Sequence, residues 1–178
     1  MKTPSLRLGA AIGVLMGSSL LRAAGVAHEH GVARLELSVD PARVTLELAT
    51  PLENLLGFEH APRNDAERER AAAALARLRA AEGLFRIDSA ASCELARTRI
   101  EAPLLQQSDA AASAREGHAD LEARFEFRCQ AGGRAGFVEV GLFDAFPALR
   151  RIELQVATPR GQMRASLLRP ASRVALLR

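Results

Sequence analysis

Alternating apolar and polar residues mark several segments of the chain as β-strands. The clearest alternation lies in VARLELSVD (32–40) and RVTLELAT (43–50), which a turn signal at Asp40-Pro41-Ala42 separates. The same period of two recurs in DLEARFEFRC (120–129), RIELQVAT (151–158) and QMRASLLRP (162–170). Because successive side chains of a strand point to opposite faces, each segment is predicted to present one apolar face to a core.

Shorter strands are predicted at SCELARTRIEA (92–102), FVEVGLF (137–143) and RVALL (173–177), with a short helix or turn at DAFPALRR (144–151). Short turns join most of the predicted strands, which favours antiparallel over parallel pairing. By contrast, PLLQQSDAAASAREG (103–117) lacks periodicity and is rich in small and polar residues. We therefore predict a flexible loop at 103–117.

One principal helix is predicted from Asp65 to Phe85. Asn64 can cap its start, and Glu67 three residues later completes a capping box. Gly83 is expected to end the helix. Its apolar stripe comprises Ala71, Leu75, Leu78 and Phe85. The fold class predicted is α+β, an antiparallel sheet or sandwich with this one helix packed across one face.

Residues 1–27 have the features of a secretory signal peptide. Lys2 and Arg7 form a positive start, residues 8–21 are apolar, and Gly25 and Ala27 are small residues before a cleavage point. The alternative is an uncleaved membrane anchor, but the apolar run is shorter than the ~20 residues a spanning helix needs. We therefore expect a mature chain of residues 28–178, a single domain in the periplasm with no membrane attachment after cleavage.

The formal net charge of +3 comes from the predicted signal peptide. Without it, 21 arginines balance 21 acidic residues, and the two signs are interspersed along the chain. The sequence has seven Phe and no Trp or Tyr. A nucleic acid partner is not expected, because such proteins need a basic patch and usually aromatic stacking platforms.

Cys93 and Cys129 are the two cysteines of the chain. An exported protein with a single pair of cysteines usually bridges them, so one disulfide is expected. A metal site that uses both thiols is the competing interpretation, and the wide spacing without a CxxC pattern disfavours it.

The four histidines are His28, His30, His60 and His118. Acidic residues lie near all of them: Glu29 lies between His28 and His30, Glu59 precedes His60, and Asp120 follows His118 by two residues. Imidazoles beside carboxylates are ligands that Zn²⁺ prefers, and they make a metal site one interpretation of the pattern. The other interpretation is that these histidines are solvated or hydrogen-bonded locally, because HxH is less specific than HExxH.

Several motifs, in order along the chain, resemble the ZrgA-like family of exported, zinc-regulated bacterial proteins. They span roughly residues 28–170 and comprise HEHG (28–31), LLGFEHAP (55–62), HAD (118–120) ahead of FEFRC (125–129), LFDAFPAL (142–149) and ATPRGQ (157–162). The resemblance implies periplasmic zinc binding beside a zinc ABC importer.

The resemblance also implies metal ligands position by position. It brings forward His28 and His30 from HEHG, His60 with Glu59 from GFEH, and His118 with Asp120 from HAD. It also matches Cys93 and Cys129 to the family's cysteine pair. Many relatives carry a long histidine-rich stretch before HAD, whereas this chain has SDAAASAREG (108–117). We therefore expect about one zinc ion and not a multi-ion store.

The function expected is a non-catalytic periplasmic zinc-binding protein, a chaperone or reservoir for a zinc ABC importer or its periplasmic binding protein. Two alternatives stay open: a metal-independent envelope interaction protein and a zinc hydrolase, although no GxSxG, GxGxxG, P-loop or HExxH motif occurs. Among the ligands, His60 is expected to matter most, because Gly57 and Pro62 flank it at the entrance to a capped helix.

The mature protein is predicted to begin at His28. Intact-mass measurement of periplasmic material should show loss of residues 1–27, because small residues at 25 and 27 follow the apolar stretch. A mass that retains Met1 would contradict the predicted cleavage.

Overall fold

The computed structural model describes residues 29–106 and 119–176. The predicted signal peptide, His28, His118 and most of the predicted loop lie outside these ranges. Within them, no helix is both long enough and apolar enough to cross a membrane.

Six strands form the larger sheet, in the spatial order β4-β5-β2-β1-β7-β8. Its strands are β1 (Val32–Asp40), β2 (Arg43–Pro51), β4 (Cys93–Glu101), β5 (Asp120–Cys129), β7 (Arg151–Thr158) and β8 (Gly161–Leu168). The apolar residues that alternate along these strands form the buried face of the sheet, and the polar residues between them form the other face. Its buried face is built from Leu35, Leu37, Leu46, Leu48, Phe125, Phe127, Leu154 and Val156.

A second layer covers that buried face. It contains a three-stranded sheet in the order β3-β6-β9, formed by β3 (Phe85–Ile87), β6 (Phe137–Val140) and β9 (Arg173–Ala175). The rings of Phe85 and Phe125 lie 5.0 Å apart and join the two sheets. In the described ranges, the α-helices are α1 (Glu53–Leu56), α2 (Asp65–Arg79), α3 (Pro103–Gln106) and α4 (Leu142–Ala145). The α+β sandwich with one principal helix is thereby confirmed.

The start of α2 follows the predicted capping box, but its end does not follow the prediction. The Asn64 side chain accepts a hydrogen bond from the Glu67 N–H at 2.9 Å. The helix ends at Arg79, a 3-10 turn spans Ala81–Gly83, and Phe85 already belongs to β3. Phe85 is buried in either arrangement, so apolar spacing alone cannot separate a last helical turn from a turn followed by a strand.

Three other predictions need correction. β1 and β7 pair in parallel, because they are distant along the chain and no short turn constrains their direction. β6 stops at Val140, and residues 142–145 form α4. The predicted loop at 103–117 begins with one helical turn, α3, where Pro103 occupies the first helical position that tolerates a missing N–H.

The disulfide predicted from the sequence is present between Cys93 and Cys129. The two residues face each other directly in the β4–β5 pairing, and no free cysteine occurs among the described residues. Both sulfurs are therefore committed to the bridge, which excludes the alternative of a thiolate metal site.

Replacing both cysteines in the double variant Cys93→Ala/Cys129→Ala should lower the free energy of unfolding by about 3–4 kcal/mol, the chain-entropy value for a loop of this length. Urea unfolding of the exported protein tests this value. Wild type treated with a reductant serves as the control and should lose a similar amount. An unchanged unfolding midpoint would contradict the stabilising role.

Candidate metal centre

The starts of β1, β7 and β5 and the end of β2 lie at the same end of the six-stranded sheet. β1 begins at Val32 opposite Arg151, the first residue of β7, while β2 ends at Pro51 opposite Asp120, the first residue of β5. The turn that carries His30 precedes β1, and α1 follows β2 directly. The pairing register therefore places the His30 turn and α1 at the same end of the sheet.

The one-turn helix α1 forms because its apolar residues bury while its polar residues meet the turn before β1. Leu52 and Leu56 are buried, and the helix ends at Gly57 in the left-handed conformation, with φ of +82°. Glycine suits this position because it has no Cβ penalty at positive φ. Phe58 is then buried, which brings the following residue, Glu59, back beside the helix.

The turn at His30 is fixed by contacts to its backbone. Gly31 has φ of +80°, and a Cβ there would lie 2.5 Å from Nε of Arg150. The Arg150 guanidinium donates to the His30 carbonyl at 3.0 Å, and the backbone N–H of Arg150 donates to the Gly31 carbonyl at 2.8 Å. On the other side, the Gly31 N–H donates to the side chain of Asn54 at 2.6 Å. The left-handed backbone therefore favours glycine at this position of HEHG, and a side chain there would also displace the Arg150 guanidinium.

His30, Glu53 and Glu59 form a group that could hold a metal ion. Each offers one ligand atom, and these atoms lie within 4.8 Å of one another. Nδ1 of His30 is 2.5 Å from a carboxylate oxygen of Glu53. The side chains of His30 and Glu53 are 63% and 42% exposed, so an ion could reach them from solvent.

His60 lies outside this group of three. Its ring stacks on Phe58 with centroids 5.0 Å apart, and Nδ1 is 2.9 Å from the Ala61 carbonyl oxygen. A proton on Nδ1 makes this contact a hydrogen bond and leaves the Nε2 lone pair available. Nδ1 also lies 3.8 Å from Glu67, whose carboxyl pKa is held below its usual value chiefly by the hydrogen bond from the Arg63 backbone N–H. These contacts hold the His60 ring in place, but His60 is not part of the group formed by His30, Glu53 and Glu59.

The remaining predicted ligands occupy the same end of the sheet or lie outside the described residues. Asp120 begins β5, and the carbonyl of Ala119 beside it accepts a hydrogen bond from the Leu52 N–H at 2.7 Å. His28 and His118 fall outside the ranges described. Their neighbours in the chain, Glu29 and Ala119, both lie at this end of the sheet.

The ligands predicted from the sequence do not include Glu53, because no helix is predicted between the strand at 43–50 and the helix that begins at Asp65. A signal for α1 was available: paired leucines, LENLLG, followed by a glycine that can end a helix. Such a turn brings the polar residue at 53 to the same side as the segment after Gly57.

The donor set fits a divalent ion of the zinc type. One imidazole nitrogen and two carboxylate oxygens are accepted zinc ligands, and tetrahedral coordination requires a fourth. Donor atoms around such an ion lie about 3.4 Å apart, given bonds of roughly 2.0–2.2 Å. The donor atoms here lie within 4.8 Å of one another, and small rotations of these side chains can bring them to the separation that an ion requires. The donor set is therefore compatible with a zinc ion.

A family model described as "ZrgA family zinc uptake protein" matches residues 27–176, which is most of the chain. A search of curated proteins finds no match to the chain. The matched range includes the His30 turn, α1, the segment with Glu59 and both cysteines.

Gly31→Ala should destabilise the protein by about 1–2 kcal/mol, the cost of a side chain in the left-handed region, and should displace Arg150. Gly133→Ala is the matched control, because a Cβ there has nothing within 4 Å and its φ is not positive. Thermal unfolding of both variants measures the difference. Equal stability of the two would contradict the constraint described for Gly31.

Proposed function

The chain belongs to the ZrgA family of zinc uptake proteins, and from this we propose that it is a non-catalytic zinc-binding protein whose site is built on His30, Glu53 and Glu59. The observation that supports the site is the approach of these three donors to within 4.8 Å at one end of the sheet. A hydrolytic role lacks a comparable observation, and the family description concerns uptake.

The contact between His30 and Glu53 favours a preassembled pair of ligands. The contact between Nδ1 and the Glu53 carboxylate holds the imidazole beside α1 while no ion is bound, and an ion between the two atoms would replace the proton they share. Coordination requires a neutral imidazole and ionised carboxylates, so zinc competes with protons for these atoms. Acidification should therefore favour release of the ion.

A fourth ligand can come from the other predicted residues. His28 is two residues from His30, and His118 is bonded to Ala119, whose carbonyl contacts the residue before Glu53. We keep His28, His118, His60 and Asp120 as candidates for completing the coordination, with water as the alternative. Three protein donors from one end of the sheet support one ion per chain.

The exposure of His30 and Glu53 suits transfer of zinc more than permanent structural binding. An ion held by exposed side chains can be loaded from solvent and passed to a partner, whereas structural zinc sites are closed by four protein ligands. We propose that the protein acts in the periplasm as a chaperone or reservoir. The partner proposed is a zinc ABC importer or its periplasmic binding protein.

Calorimetric titration of the tag-free mature protein at neutral pH should show about one tight zinc site. His30→Ala should weaken binding by at least about a hundredfold, because loss of a ligand exceeds the 10–100-fold typical of a supporting residue. Glu53→Gln should also weaken binding. His60→Ala should have a smaller effect than His30→Ala, yet a larger one than His28→Ala, since the His60 ring is already ordered.

Glu82→Gln, an exposed glutamate in the turn after α2, is the matched control and should bind as wild type does. Absence of zinc binding in the wild type would defeat the proposed function. A His30→Ala variant that binds zinc normally while folded would defeat the assignment of the site.

A further inference from the structure

Asn54 is a buried side chain at the boundary between three elements. Its residue is 2% exposed. Its carboxamide oxygen accepts from the Gly31 N–H at 2.6 Å, and its amide nitrogen donates to the Val32 carbonyl at 2.9 Å and to the Thr50 hydroxyl at 3.0 Å. One amide thereby connects α1 to the start of β1 and the end of β2.

These contacts lie between the two halves of the proposed zinc site. Asn54 follows Glu53 in α1, while Gly31 follows His30 in the turn before β1. The other contacts to the turn come from Arg150, which precedes β7, and from Arg151, the first residue of β7. Apart from the contact between the two ligands themselves, His30 and Glu53, the Asn54 side chain is what hydrogen-bonds α1 to this turn among the described residues.

We propose that Asn54 is the positioning residue of the zinc site and sets its affinity by holding the His30 turn against α1. This inference rests on the proposed function. Asn54 does not coordinate the ion, because both ends of its amide are already engaged by backbone and hydroxyl groups.

The physical reason is conformational freedom. A fixed His30 approaches Glu53 at no further ordering cost, whereas a loose turn must be ordered each time the ion binds. The amide is also difficult to replace, because it binds one backbone N–H and one backbone carbonyl at once, and a smaller side chain would remove both hydrogen bonds. Affinity should therefore depend on Asn54 even though it lies behind the ligands.

Zinc titration of Asn54→Ala tests the proposal. Its dissociation constant should rise about 10–100-fold, the range for residues that orient metal ligands. Val156→Ala is the matched control, because it also truncates a buried side chain but lies in β7 away from the Arg151 end. Its dissociation constant should stay within about twofold of the wild-type value, since general loss of core packing does not move His30.

A second readout needs no zinc. Hydrogen exchange of the Gly31 amide should quicken at least tenfold in Asn54→Ala relative to Val156→Ala, and the His30 ring resonances should shift, because both report the loosened turn. If Asn54→Ala does not fold, Thr50→Val replaces it; this variant removes one partner of the amide and should raise the dissociation constant about threefold or more.

Unchanged zinc affinity and unchanged Gly31 exchange in the folded variant would overturn the positioning role. If wild type binds no zinc, the proposed function fails, and Gly31 exchange still decides whether Asn54 holds the turn. If wild type binds zinc and His30→Ala weakens binding while Asn54→Ala does not, only the inference about Asn54 fails.

Discussion

The buried carboxamide of Asn54 is the interaction on which the geometry of the candidate site depends. It hydrogen-bonds to the turn before β1 and to the end of β2, and so fixes α1 against two neighbouring strands of the sheet. Burying this amide without hydrogen-bond partners would cost free energy, so arrangements of α1 that break these hydrogen bonds are disfavoured. This contact positions Glu53, which precedes Asn54 in α1. It also positions His30, because the next residue, Gly31, donates to Asn54.

The sheet supplies rigidity, while the ligands remain accessible. The small sheet and α2 cover the apolar face of the six strands. The disulfide joins β4 to β5 at the end of the sheet opposite the candidate site. Cys129 and Asp120 are the two ends of β5, a separation of about 30 Å at strand geometry. The bridge therefore stabilises the scaffold without contributing atoms to the site. This division suits the proposed function, in which the ion is exchanged while the fold is kept.

Sequence patterns predicted the parts of the fold that local residues determine. The alternation at 32–40 corresponds to β1 residue by residue, and the capping box at Asn64 begins α2. The parallel pairing of β1 with β7 could not be predicted, because it depends on distant packing and not on any local turn. The site followed the same division: His30 and Glu59 were named from motifs, whereas Glu53 depended on recognising a four-residue helix. His60 is expected to matter most because Gly57 and Pro62 flank it; it lies outside the group of three donors found among the described residues, so its role as a ligand stays a prediction.

The location of the bound ion decides whether the proposed zinc site is correct. Anomalous diffraction at the zinc edge, from crystals of the mature protein loaded with one equivalent of zinc, measures this location. The proposed site predicts one strong peak about 2.0–2.2 Å from side-chain atoms of His30, Glu53 and Glu59. A peak elsewhere, for instance at His60 without His30, or no ordered peak at full loading, would contradict it.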